Sequence, residues 1–158
     1  MLQEAVDTLE VKSAAFAEDG DIPSRYTCEG ENINPPLEMS GGPRKTQSLA
    51  IIVEDPDAPK GVFDHWLLWN IPPDSTISAD SGPGICGRNS FNRTRYDGPC
   101  PPFGEHRYIF SVYALDCMLD LSPGPGGSDK PTLLKAMEGH ILTRGQLTGR
   151  YKRRSPSL

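Results

Sequence analysis

Sixteen prolines and sixteen glycines are spread from Gly20 to Pro156 of this chain, and that spacing leaves no room for a helical bundle. Proline lacks the N–H a helix interior needs, and glycine loses more backbone freedom on folding than any other residue. Turns tolerate both. A chain punctuated in this way reads as strands joined by many turns, and three runs supply the strands. SLAIIVE (48–54) is short, apolar and β-branched, and it stops at DPDAP. HWLLWNI (65–71) stops at Pro72 and Pro73. HRYIFSVYALD (106–116) carries aromatic and β-branched residues throughout. Between the second and third lies 72–105, full of Gly, Pro, Asn and Ser, and a loop of that length in a compact chain usually has a task.

One helix is predicted, PTLLKAMEGH (131–140). Ser128 is a candidate N-cap, and Pro131 suits a first helical turn. Leu133, Leu134, Met137 and Ile141 recur at helical spacing as one apolar face. QLTGRYKR then reads as a final edge strand. The expected fold is mostly β, an antiparallel sheet assembly with a helix on its flank. At 158 residues the chain can bury a real core, and the expectation is a single domain over 1–158, with 1–10 and 152–158 mobile.

Charge and cysteine usage narrow the classes. A net charge of −5 disfavours wholesale nucleic-acid binding, although the tail GRYKRRSPSL is basic. No stretch approaches the roughly 20 apolar residues of a membrane span. The start, MLQEAVDTLEVK, lacks the basic-then-apolar order of a signal peptide, so a cytoplasmic location is expected. Cys28, Cys86, Cys100 and Cys117 show neither a CxxC pair nor zinc spacing, and are expected as reduced, partly buried thiols. Cys86 and Cys100 flank one loop, so a disulfide between them is the alternative.

The polar residues at strand starts carry the chemistry. Alternation along a strand places His106, Tyr108 and Phe110 on one face, and likewise His65, Leu67 and Trp69. A polar residue at each strand mouth, followed by apolar ones, suits a pocket at the end of a sheet; two unrelated capping histidines are the other reading. In DPDAP (55–59), two prolines stiffen the turn that holds Asp55 and Asp57, and one carboxylate can fix a histidine tautomer. The alternative there is an ordinary strand-ending turn. YDGPCPPFGEHRY (96–108) combines glycines that allow close backbone approach with prolines that stiffen it. Arg107 points to the opposite face and is expected in a structural ion pair.

DPDAP, HW-x-x-x-NIP, and the run from Tyr96 to Asp116 together resemble the phosphatidylethanolamine-binding protein (Raf kinase inhibitor-like) family. IPSRYTCEGENINPPLE and LTGRYKR are similar to its short bacterial and archaeal branch. The resemblance implies a β-sandwich with Greek-key connections, one or two short flanking helices, and a conical anion pocket. It assigns that pocket to Asp55, Asp57, His65, Gly98, Pro101, Pro102, His106 and Tyr108. It also implies a cis bond at Ala58–Pro59. Cys100, where many members carry a small residue, would narrow the pocket, and Met39 stands where the short branch often has tryptophan.

A non-enzymatic binding protein is therefore expected, with a small anionic or phosphorylated ligand, no cofactor and no bound metal. The alternative is a regulator or inhibitor of a serine protease or kinase acting through proline-rich surface loops. A hydrolase or divalent-metal protein is a third reading, but no serine lies in a G-x-S-x-G turn. The resemblance is compatible with a homodimer.

Overall fold

The structure is a computed structural model that describes residues 8–122 and 127–154. The chain runs through β1 (Leu9–Lys12), β2 (Gly20–Asp21), β3 (Leu37–Gly41), β4 (Ser48–Asp55), β5 (Phe63–Ile71), β6 (Thr76–Ile77), β7 (Ile85–Cys86), β8 (Glu105–Leu115), α1 (Lys130–Met137) and β9 (Ile141–Lys152). A six-stranded sheet has the order β2-β9-β8-β4-β5-β7, and a smaller sheet has the order β1-β3-β6. All pairings are antiparallel except β2 with β9. This is the mostly β sandwich expected, with a single α-helix among the described residues.

The three apolar runs occupy the middle of the large sheet because each is apolar on both faces. One face, with Ile51, Val53, Trp66, Leu68, Phe110 and Val112, packs on Leu9, Val11, Leu37 and Ile77 of the small-sheet side. The opposite face, with Ala50, Ile52, Leu67, Trp69, Tyr113 and Leu115, is covered by Leu133 and Met137 of α1. Lys130, at the start of α1, reaches across to Glu54 (2.8 Å) and Asp64 (2.7 Å) and ties the helix to β4 and β5. The layers are thus small sheet, large sheet and helix.

Several local expectations change. The N-cap of α1 is Asp129, whose Oδ1 accepts from Thr132 N–H at 3.1 Å. Ser128 instead donates its hydroxyl to the Ser122 carbonyl. The helix ends at Met137, and Leu134 and Ile141 are exposed; only Leu133 and Met137 of the expected face are buried. β9 begins at Ile141, well before QLTGRYKR, and is not an edge: the short parallel strand β2 covers its outer side. The 72–105 segment contains β6 and β7 and is otherwise irregular. Of the ends expected to be mobile, 1–7 and 155–158 lie outside the described residues. Leu9 and Glu10 open β1, however, and Lys152 closes β9 against Glu105.

The layered burial makes a direct expectation. Phe110→Ala, at the centre of the interface between sheets, should lower unfolding stability by about 3–5 kcal/mol in a denaturant titration. Leu134→Ala, on the open flank of α1, should cost less than about 0.5 kcal/mol beyond noise from helix propensity.

Candidate functional site

β4 and β8 run side by side so that Val53 pairs with Phe110 and Glu54 with Ile109. Their ends, Asp55 and His106, come together at one rim of the large sheet. β5 reaches the same rim through a break in register. Val53 pairs with Trp66, but Glu54 pairs with Asp64, so His65 is an extra, unpaired residue. Such a bulge re-aims a side chain. Strict alternation would put His65 beneath the helix with Leu67 and Trp69. The bulge turns it away from them, to within 5.3 Å of the Tyr108 ring, centroid to centroid. The expected shared face of His65, Leu67 and Trp69 is therefore corrected, and His65 joins the face of His106 and Tyr108.

These residues line one cavity of about 420 Å³, together with Asp55, Pro59, Lys60, Val62, Phe63, Phe91, Cys100, Pro101 and Pro102. Asp55 is buried, and both of its oxygens are engaged inside the protein. Oδ1 accepts the Asp57 backbone N–H at 2.8 Å, and Oδ2 lies 2.7 Å from His106 Nδ1. A carboxylate only accepts, so Nδ1 carries the proton and Nε2 is the ring nitrogen left for the cavity. His65 Nδ1 lies 2.6 Å from the Asp97 carbonyl, which likewise fixes the proton on Nδ1. Burial pushes the His65 pKa below its ordinary value, and the Asp97 carbonyl bond only partly opposes this. His65 therefore stands neutral at pH 7, with Nε2 as an acceptor.

Tyr108 completes the group. Its ring stacks on His106 at 6.4 Å between centroids, and the residue is 1 % exposed. Its hydroxyl is buried and makes no hydrogen bond of good geometry within the protein. Burial and the neighbouring Asp55 charge push its pKa well above that of an ordinary tyrosine, so it remains a neutral donor.

Two of the expected site residues serve elsewhere. Asp57 is absent from the lining because Arg107 holds it, Nε at 3.0 Å from Oδ2 and Nη2 at 2.8 Å from Oδ1. This is the structural pair expected for Arg107, and it lowers the Asp57 pKa to about 2. Gly98 does not line the cavity either. Its N–H donates to Asn32 Oδ1 at 2.7 Å, and a Cβ there would sit 2.1 Å from the Tyr26 carbonyl oxygen. Its role is close backbone packing behind the wall.

Two further expectations are overturned. There is no cis peptide bond among the described residues, so Ala58–Pro59 is trans. The turn closes instead through Gly61 N–H to the Ala58 carbonyl, with Gly61 at φ 109°. Nor are all four cysteines reduced. Cys28 and Cys100 form a disulfide 72 residues apart in sequence, whereas Cys86 and Cys117 are free. Cys86 sits in β7 and pairs with β5, away from the wall in which Cys100 lies. The bridge, with Cys28 N–H on the Pro99 carbonyl at 3.1 Å, clamps the 26–32 segment to the cavity wall. Loop-closure entropy for that span is about 4 kcal/mol in the chain-entropy model.

Residues that sequence reasoning did not select include Phe63, Phe91, Val62 and Lys60 in the lining, and Asp97 behind it. Asp97 lies inside the conspicuous 96–108 run. Its carboxylate is buried and takes hydrogen bonds from Asn89 (2.8 Å) and Arg95 (3.1 Å), while its carbonyl sets His65. Phe91 carries no signal in its own stretch of the loop.

The family model described as phosphatidylethanolamine-binding protein matches residues 12–152. The chain belongs to the phosphatidylethanolamine-binding protein family. A relative in this family from Methanothermobacter thermautotrophicus, designated a UPF0098 protein, is 48% identical and covers 92% of this chain and 99% of its own. A solved structure from Chlamydia trachomatis, described as a phosphatidylethanolamine-binding protein homologue, is 37% identical with a TM-score of 0.88. It covers 93% of this chain and 99% of that one. Escherichia coli YbcL, described as a new member of the mammalian phosphatidylethanolamine-binding protein family, is 28% identical with a TM-score of 0.82, covering 92% of this chain and 99% of its own. Membership of the phosphatidylethanolamine-binding protein family supports a binding-type protein.

The state of His65 is open to measurement. Long-range nitrogen–proton spectra at pH 7 should show it neutral, with its proton on Nδ1. A group whose folded pKa is lowered holds fewer protons folded than unfolded, so stability falls as pH drops below about 6.5. A His65→Gln variant should lose less stability over that acid interval than the parent in matched thermal melts.

Proposed function

We propose that the cavity receives the phosphoryl group of a small organic phosphate, and that the protein binds it without chemical change. The buried Tyr108 hydroxyl, which lies near Asp55 and the Cys100 backbone yet makes no well-formed hydrogen bond, is the observation that carries this reading. A donor left unsatisfied in the free protein costs roughly 1–3 kcal/mol, which a ligand oxygen recovers. Asp55 keeps its charge, but both its oxygens already accept hydrogen bonds inside the protein. Its role is to order His106, whose Nε2 faces the ligand space. Lys60 supplies a cation at the rim.

The cavity is larger than a phosphate ion alone requires, and its remaining walls are Val62, Phe63, Phe91, Pro101 and Pro102. An organic remainder would lie against them, as a lipid headgroup or a phosphorylated side chain has. The neutral His65 sets the pH dependence. A phosphate dianion facing an acceptor Nε2 needs one proton between them. Whether that proton sits on the imidazole or on a phosphate oxygen, binding takes it up, so affinity rises as pH falls from 8 toward 6.

The lining disfavours catalysis. It contains no serine or threonine, its one cysteine is in a disulfide, and the Tyr108 pKa is raised rather than lowered. A second reading, regulation or inhibition of a serine protease or kinase, is favoured by apolar side chains around the mouth. Val62 is 53% exposed, Phe91 41% and, beside Pro102, Phe103 77%. Location is less constrained. No helix among the described residues is long and apolar enough to cross a membrane, and a disulfide fits a reducing cytoplasm poorly.

Calorimetric titration with phosphate, phosphoethanolamine and phenyl phosphate at pH 6 and pH 8 tests the first reading. Tighter binding at pH 6 is expected, with phenyl phosphate above inorganic phosphate. Tyr108→Phe, which preserves packing, should weaken binding about tenfold, and His106→Ala at least as much. Unchanged affinity in both variants would sink the proposal. Inhibition assays over a panel of serine proteases and kinases, with Phe103→Ser as the control, address the second reading.

A further inference from the structure

The Cys28–Cys100 bridge has an asymmetry that neither the cavity nor the fold requires. Cys28 is exposed, whereas Cys100 is half-buried in the cavity wall. The cation contact falls on Cys100: Arg153 Nη1 donates to Cys100 Sγ at 3.7 Å, and Arg153 Nε is buried without a hydrogen-bond partner. A guanidinium held against one sulfur of a disulfide stabilises the thiolate formed there when the bond breaks. The lower the pKa of the departing thiol, the faster the exchange. Access selects one sulfur for attack, and charge selects the other to leave. Both selections point the same way.

We propose that this disulfide is a thiol-exchange site, attacked at Cys28 by an external thiolate with Cys100 as the leaving group. In the first step a new S–S bond forms between the incoming sulfur and Cys28 Sγ. The Cys28–Cys100 bond breaks, and its electron pair stays on Cys100 Sγ beside Arg153. A monothiol stops there, as a mixed disulfide on Cys28. With a dithiol, the second sulfur attacks the first, Cys28 departs as thiolate, and the dithiol leaves as its cyclic disulfide. Two electrons have then passed to the protein, and both cysteines take up protons from solvent. The chain's other thiols do not compete well. Burial pushes the Cys86 pKa up to about 11, and the Cys117 pKa is raised by its own slight burial and then by Asp116.

Exchange at this position reaches the cavity. Cys100 lies next to Pro101 and Pro102 in the lining, and the bridge is the covalent tie between that wall and the 26–32 segment. Opening it leaves a sulfur in the wall able to carry charge, and leaves Cys28 bearing the incoming group at the surface. The site stands whatever the cavity binds, because its readout is the adduct and not ligand affinity.

The oxidised protein, with Cys86 and Cys117 first alkylated, is exposed to a small monothiol, quenched in acid and mapped by mass spectrometry. The adduct is expected on Cys28, with Cys100 recovered as the free thiol. Arg153→Gln should slow exchange roughly three- to tenfold, Arg153→Lys should keep most of the rate, and Arg154→Gln should leave it unchanged. Arg154 is a fair control because its only polar contact described is through its backbone N–H to Glu29. An adduct mainly on Cys100, or an Arg153→Gln variant exchanging at the parent rate, overturns the proposal. Should Arg153→Gln fail to fold, the position of the adduct in the parent protein decides alone.

Discussion

One extra residue in β5, His65, breaks the two-residue alternation of that strand, and the cavity depends on the break. Ahead of the bulge, Glu54 and Asp64 pair on the helix side, where Lys130 holds them both. Behind it, Val53 and Trp66 pair on the side facing the small sheet. His65 lies between the two registers and can turn toward Tyr108 only because no ladder partner claims it. Had the strands paired without interruption, the imidazole would lie under α1. The site is thus a consequence of sheet register.

The rest of the surroundings hold that geometry still. Each imidazole has one nitrogen tied to a buried acceptor, Asp55 for His106 and the Asp97 carbonyl for His65. Asp97 is itself fixed by Asn89 and Arg95, and its neighbour Gly98 packs backbone to backbone on Tyr26. The Cys28–Cys100 bridge closes the same wall from outside. Little side-chain entropy is left for a ligand to remove, which is what a small polar ligand needs to bind usefully. Among the polar groups lining the cavity, the Tyr108 hydroxyl is the buried one left without a well-formed hydrogen bond.

Much of this was legible in the residues, and the limits are physical. The three central strands could be read because apolar, β-branched runs buried on both faces have few other folds open to them. DPDAP, HW and the 96–108 run marked the right rim of the sheet, and Asp55, His65, Pro101, Pro102, His106 and Tyr108 do meet there. Asp57 and Gly98 fell outside because each has a stronger local partner, Arg107 and Tyr26 respectively. Phe91 and Lys60 were invisible because a loop residue reaches a cavity by chain path, not by periodicity. The cap moved by one residue, from Ser128 to Asp129, because either side chain is competent and only the observed backbone turn discriminates.

The sequence by itself determined the class of fold, the strands that form its centre and the pair of histidines at their ends. Those follow from local energetics: where glycine and proline forbid a helix, and where apolar residues must be covered. Tertiary structure decided the face on which His65 lies and the pairing of Cys28 with Cys100. Each of these depends on groups distant in the chain, brought together only once the sheet has its register, and no nearest-neighbour pattern records that.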